Sequence, residues 1–201
     1  MFTGLVEETG IITTRREVAD GLRLVIRASL VLAALRLGES IAVSGVCLTV
    51  VERDGDTFAV DCSPETLRRT TLGELGVGSP VHLERPLAAD GRFGGHFVQG
   101  HVDGTGRVLW QRREGDSLLV AYSVPAGVAP YLVPKGSVTV DGVSLTVVDC
   151  SPTQFTVALI PHTLAVTRFD RLTTGDRVNL EADILAKYVA KALEVQQSGA
   201  M

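Results

Sequence analysis

The chain has 201 residues, 45% of them hydrophobic, with 19 basic residues against 23 acidic ones and a formal net charge of -4. That is enough apolar mass for one sizeable core or two small ones, and it excludes a disordered or collagen-like chain. The charge balance gives no basic face to a nucleic acid, no run of 18 apolar residues suits a membrane span, and three scattered cysteines without a CxxC pair suit reduced thiols rather than a disulfide framework or a zinc site.

The first residues, MFTGLVEETG, show no basic stretch followed by an apolar run, so a cytoplasmic setting is expected, with no membrane, no nucleic acid, no metal and a small molecule as partner. Period-two alternation then predicts strands at Leu22–Ala28, Ser40–Val43, Val46–Glu52, Thr57–Val60 and Val81–Glu84, with a turn at Arg53–Asp56. A helical turn is expected after Pro64. The stretch Arg85–Gly95, RPLAADGRFGG, reads as a connection. Strands follow again at Ser117–Tyr122, Ser137–Val140, Val143–Asp149, Gln154–Leu159 and Val178–Glu181, with a helical turn after Pro161. From Asp183, a plausible N-cap, the spacing of Ile184, Leu185, Tyr188, Val189, Ala192 and Leu193 predicts an amphipathic helix. Its apolar stripe must lie across a barrel end or against another subunit.

The second set of strands repeats the first. Residues 40–84 laid on 137–181 without a gap give 19 identities in 45 positions, and GLVEETG at Gly4–Gly10 returns as GHVDGTG at Gly100–Gly106. Units of this length are domains rather than solenoid repeats. Five or six short strands each point to closed or nearly closed barrels, because closure removes exposed edges. The expected division is 1–90, 91–182 and a tail at 183–201.

Within the repeat, Leu48 and Leu145 suit core strands, whereas the differences mark chemistry. Cys47 answers Ser144, a thiol against a hydroxyl, and either type serves as a nucleophile or hydrogen-bonding group unless Cys47 is a small core residue. His101 stands where the first copy has Leu5, and an imidazole suits proton transfer near neutral pH. His96 falls on the linker side, His162 follows Pro161, and His82 lies in an alternating strand where exposure is expected. No phosphate loop, nucleophile elbow or HExxH helix occurs.

MFTGLVE, SGVCLTV, GGHFVQGHVDG and VPKGSVTVDGVSLTV, in this order and within a duplication, give the chain a close resemblance to the riboflavin synthase family along its length. The resemblance implies an all-β chain of two six-stranded Greek-key barrels and a C-terminal helix, assembled as a homotrimer. It also implies dismutation of two 6,7-dimethyl-8-ribityllumazine molecules to riboflavin and 5-amino-6-(D-ribitylamino)uracil, without a metal or redox cofactor. Association with lumazine synthase is left open. Carried onto this sequence, the first pocket is expected to involve Gly4, Leu5, Val6, Cys47, Leu48, Thr49, Asp61, Cys62, Ser63, Pro64, Glu65 and Thr66. The second is expected to involve Gly100, His101, Val102, Lys135, Ser144, Leu145, Thr146, Ala158, Leu159, Ile160, Pro161, His162 and Thr163. Ser40, Cys47, His101, Ser144 and Asp183 stand at catalytic positions, with Phe2 and Thr3 in a sensitive N-terminal segment, and His101 is expected to move or orient protons with Ser144. A non-catalytic lumazine- or flavin-binding relative is the rival reading; the presence of Cys47, Ser144, His101 and Lys135 together favours the enzyme.

Overall fold

The computed structural model describes residues 1–198; residues 199–201 of the expected 183–201 tail lie outside the described residues. Strands β1 (Glu8–Val18), β2 (Gly21–Arg27), β3 (Ser40–Val43), β4 (Val46–Asp54), β5 (Thr57–Cys62) and β6 (Pro80–Glu84) close into an antiparallel barrel in the order β1-β2-β5-β4-β3-β6. Strands β7 (Gly104–Glu114), β8 (Ser117–Ser123), β9 (Ser137–Val140), β10 (Val143–Cys150), β11 (Gln154–Leu159) and β12 (Arg177–Ala182) close into a second barrel in the equivalent cyclic order. The connection between β8 and β9 is one residue longer than that between β2 and β3, which accounts for the change of step in the repeat.

Alternation drives the closure. Leu22, Leu24 and Ile26 of β2 point inward and join Ile12, Phe58 and Leu83 in one core, while Val108, Tyr122, Phe155 and Leu180 fill the other. Each such side chain contributes about 1.5–3 kcal/mol through burial. Helix α1 (Pro64–Arg69) is capped by Ser63, whose Oγ accepts the Thr66 N–H at 3.2 Å. Its counterpart α2 (Pro161–Val166) starts at Ile160, which has no capping oxygen. Helix α3 (Ile184–Ser198) has the expected N-cap, because the Leu185 N–H donates to Asp183 Oδ1 at 3.0 Å. Its stripe is not laid over a barrel end: Leu185, Tyr188, Val189 and Leu193 are all exposed. Among the described residues no helix is long and apolar enough to cross a membrane.

The barrels meet about a local twofold axis. The β3–β4 and β9–β10 hairpins turn through Ser44–Gly45 and Asp141–Gly142, all four at positive φ, as a tight type I′ connection requires. The two turns touch: a Cβ on Gly45 would lie 2.6 Å from Gly142 N, and one on Gly142 would lie 2.7 Å from Gly45 N. Beside them, Asn179 Nδ2 donates to Ser44 O and Asn179 Oδ1 accepts from Thr71 N–H, both at 2.8 Å. His82, at the equivalent position of the first barrel, makes the equivalent bridge. Its Nε2 accepts from Arg168 N–H, which leaves the proton on Nδ1 to donate to Asp141 O, both at 2.9 Å. The expectation that His82 is exposed is therefore corrected. It is 1% exposed because the outer face of β6 packs on the second barrel rather than on solvent.

Asn179→Ala strands the Thr71 N–H and the Ser44 carbonyl inside this seam, so a loss of about 1–3 kcal/mol per stranded group is expected in urea unfolding. Burial lowers the His82 pKa, so the unfolded chain, with its histidine near 6.5, takes the proton first. The stability contributed by neutral His82 is thus complete above about pH 6.5 and is lost as pH falls through that value toward the folded-state pKa. His82→Asn keeps a donor and an acceptor, as in the second barrel. Wild type should lose stability relative to this variant between pH 7 and 5; parallel curves would remove His82 from the seam's pH response.

Candidate functional site

Two glycine-containing straps cross at the twofold axis. Phe2 and Val98 exchange backbone hydrogen bonds, Phe2 N–H to Val98 O at 2.7 Å and Val98 N–H to Phe2 O at 3.2 Å. Thr3 N–H and Gly4 N–H then donate to the two carboxylate oxygens of Glu84 at 2.7 and 3.1 Å. In the other strap Gln99 N–H and Gly100 N–H donate to those of Glu181 at 2.7 and 3.0 Å. Each strap is thus gripped by the last strand of its own barrel.

The strap carbonyls serve the other barrel. Ser144 N–H of β10 donates to Gly4 O, and Cys47 N–H of β4 donates to Gly100 O, each at 2.8 Å. A side chain at either glycine is excluded twice, by φ of +79° and +75° and because a Cβ would lie 2.7 Å from the Ser144 or Cys47 nitrogen. The residues after each glycine therefore flank the neighbouring barrel's reactive position. Gly100, His101, Val102 and Asp103 line a cleft of about 480 Å³ with Val46, Cys47, Ser63, Glu65, Thr66, Arg69 and Thr70.

This regroups the expected pockets. Gly100–Val102 stand with Cys47, not with Ser144, and Gly4 stands with Ser144, not with Cys47. Cys47, Thr49 and Ser40 share the outward face of the β3–β4 ladder, where Cys47 is opposite Ala42 and Thr49 opposite Ser40. Thr146 and Ser144 occupy the same face of β9–β10, opposite Ser137 and Thr139. Leu48, Leu145 and Leu159 point the other way, into the cores. Cys62 is also a core residue, and burial pushes its thiol up to about 12, so it is inert at neutral pH. Asp61 faces away and pairs with Arg23, Arg23 Nε to Asp61 Oδ1 at 2.6 Å; that guanidinium holds the carboxyl below its usual range. Pro64 and Pro161 open α1 and α2. Ala158, Ile160, His162 and Lys135 are exposed and Val6 and Thr163 are half-buried, with the Lys135 N–H tied to Val147 O on β10 at 2.8 Å.

His101 is exposed at the cleft beside Cys47, and the imidazole that meets Ser144 in the chain is instead His96, with Nδ1 2.7 Å from Ser144 Oγ. In the sequence His96 ranks below His101 because it lies on the linker side, next to Arg85–Gly95. The change from Ala42 to Thr139 at the position opposite Cys47 and Ser144 was the available signal, since it adds a hydroxyl where the first barrel has none. Burial lowers the His96 pKa, and the carboxylate of Asp183 acts against that shift.

Gly100→Ala forces an L residue into the left-handed region, which costs about 1–2 kcal/mol before any overlap with Cys47 is counted. Gly73, where an added Cβ would meet its nearest atom at an ordinary 3.5 Å, is the control. Thermal unfolding should show a large drop for Gly100→Ala and little change for Gly73→Ala; equal effects would mean that the strap approach does not matter.

The family model described as a lumazine binding domain matches the chain twice, at residues 3–86 and 99–183. The chain is 49% identical over 198 residues to riboflavin synthase of Mycobacterium tuberculosis (strain ATCC 25618 / H37Rv), covering 96% of this chain and 98% of that protein. It is 44% identical over 193 residues to riboflavin synthase of Bacillus subtilis (strain 168), covering 96% and 90%. Among solved structures, LumP complexed with riboflavin superposes with a TM-score of 0.84 at 27% identity, covering 90% of this chain and 99% of that chain. LumP complexed with 6,7-dimethyl-8-(1'-D-ribityl) lumazine gives a TM-score of 0.82 over the same coverage. With a lumazine-binding repeat in each barrel and close to half of its residues shared with these enzymes from end to end, the chain belongs to the riboflavin synthase family.

Proposed function

We propose that the protein converts two molecules of 6,7-dimethyl-8-ribityllumazine into riboflavin and 5-amino-6-(D-ribitylamino)uracil by moving a four-carbon unit from one to the other. The observation that carries this reading is the pair of equivalent walls centred on Cys47 and Ser144, each completed by a strap that crosses the twofold axis. Two like substrates need two like recesses, and their unlike roles need a few unlike groups. In this reading Cys47, Thr49, Thr66, His101 and Val102 hold one lumazine, and Leu5, Val6, Lys135, Ser144, Thr146 and Thr163 hold the other.

The hydrogens of the lumazine C7 methyl group are acidic because the resulting anion delocalises over the ring. One substrate then becomes a carbon nucleophile and the other accepts it at C7. The protein's task is to align the two rings and to move protons, rather than to supply a strong covalent catalyst. His101 on the open side of the cleft suits proton transfer, and Ser40, on the same face as Thr49, suits orienting the accepting ring. The uncovered apolar face of α3 supports a homotrimer in which the first barrel of one subunit faces the second barrel of its neighbour. The setting is cytoplasmic in this reading, and the units run over 1–90, 91–182 and 183–201.

The likeness to LumP supports a second reading, a barrel pair that binds its ligand without turnover. Incubation with the dimethyllumazine separates the two: riboflavin absorbance is expected, whereas binding without product would establish the second reading. His101→Ala should lower turnover by about 10²–10⁴-fold with ligand affinity little changed, and light scattering should give the mass of three chains. A loss under about tenfold would take His101 out of proton transfer.

A further inference from the structure

Three polar side chains meet on the second barrel, Ser144, Thr139 and His96, and the residues that answer the first two in the first barrel are Cys47 and Ala42. Thr139 lies directly opposite Ser144 on the β9–β10 ladder, where the first barrel has Ala42 opposite Cys47. His96 bridges the two hydroxyls, with Nδ1 2.7 Å from Ser144 Oγ and Nε2 3.1 Å from Thr139 Oγ1. His96 stands ahead of the second matched repeat, which runs over residues 99–183. A Cβ on Gly95 would overlap Thr3 O and lie 3.1 Å from Ser144 Oγ, so glycine lets this segment pass close to the first strap and to Ser144. The His96 N–H donates to Thr3 O at 3.1 Å, so the backbone under the ring is held by the first strap.

His96 is 7% exposed, and a neutral imidazole offers one donor and one acceptor. The shorter bond fits an O–H donor and the longer one an N–H donor. With that assignment Ser144 donates its proton to Nδ1, while the ring's own proton sits on Nε2 and is donated to Thr139. The Ser144 oxygen then has its lone pairs free on the outward face of the ladder, beside Gly4.

We propose that His96 is the positioning residue of the second recess: anchored by Thr139, it accepts the Ser144 hydroxyl proton and so presents the Ser144 oxygen as a hydrogen-bond acceptor to the substrate. The inference rests on the reading that Ser144 meets the lumazine. It assigns part of the asymmetry between the two recesses to the Thr139–His96–Ser144 bridge, in addition to the exchange of thiol for hydroxyl.

The test is turnover and lumazine affinity in Ser144→Ala, His96→Phe, the double variant and His96→Asn. His96→Phe should lower kcat by about 10²-fold, the cost of a misplaced group, with KM within about threefold of wild type. The double variant should be no slower than Ser144→Ala alone. His96→Asn, whose amide oxygen takes the place of Nδ1, should recover about tenfold or more of the lost rate. Additive losses, a loss confined to KM, or no recovery in a folded His96→Asn protein would overturn the proposal. If Ser144→Ala keeps wild-type turnover and affinity, the placement of Ser144 at the lumazine fails and the inference with it. If Ser144→Ala is slow while His96→Phe is not, the inference alone fails. Should His96→Phe not fold, Thr139→Val, which releases the far side of the ring, gives the same comparison: a loss shared with Ser144→Ala supports the bridge, and an unchanged or additive one overturns it.

Discussion

Glu84 and Glu181 each take two consecutive backbone N–H groups, and the crossing of the straps depends on them. With Gly4 and Gly100 at positive φ, neither strap can extend a strand ladder, so its N–H groups need an acceptor from elsewhere. A carboxylate meets two at once and binds them more strongly than a neutral acceptor would. Burial pushes both carboxyls above their usual range, Glu181 to about 7, while the N–H groups favour the anions. Once gripped, each strap turns its glycine carbonyl to the other barrel. Neither the Cys47 wall nor the Ser144 wall would be complete in an isolated barrel.

The same twofold arrangement is reused with different chemistry. At the seam, His82 and Asn179 make the same bridge, a donor to a turn carbonyl and an acceptor for a backbone N–H. Ser44 corresponds to Asp141, and Thr71 to Arg168. Asp141, fully buried, receives Arg168 Nη2 on Oδ2 at 2.6 Å and Asn179 N–H on Oδ1 at 2.8 Å, so its charge is paired as well as hydrogen-bonded. In the walls, backbone positions are preserved and side chains differ: thiol against hydroxyl, Ala42 against Thr139, and an exposed His101 beside Cys47 against a buried His96 on Ser144. An approximately symmetric frame thus presents two like walls with different reactive side chains.

Much of this was legible in the chain. The expected bounds of Ser40–Val43, Ser137–Val140 and Gln154–Leu159 match the strands, and in β2 a barrel wall with one wet face imposes period two directly. The duplication identified Cys47 and Ser144 as the altered pair. Position in the repeat was misleading for Gly4–Val6 and Gly100–Val102, since it assigns each segment to its own barrel, whereas each one crosses to the other. His82 and His96 were undervalued for a related reason. What buries them lies far along the chain, 59 residues away at Asp141 for His82, and 43 and 48 residues away at Thr139 and Ser144 for His96, and no local pattern encodes it.

By itself the sequence determined the two barrels, their equivalence, the terminal helix and its apolar stripe, because periodicity and repetition are local properties of a chain. The tertiary structure alone decided which strap completes which wall, that Asp61 and Cys62 turn away from the cleft, and that Ser144 is held by His96 rather than by His101. The crossing of the straps depends on two buried carboxylates and four positive-φ glycines meeting at a twofold axis, and that meeting exists only after both barrels have closed.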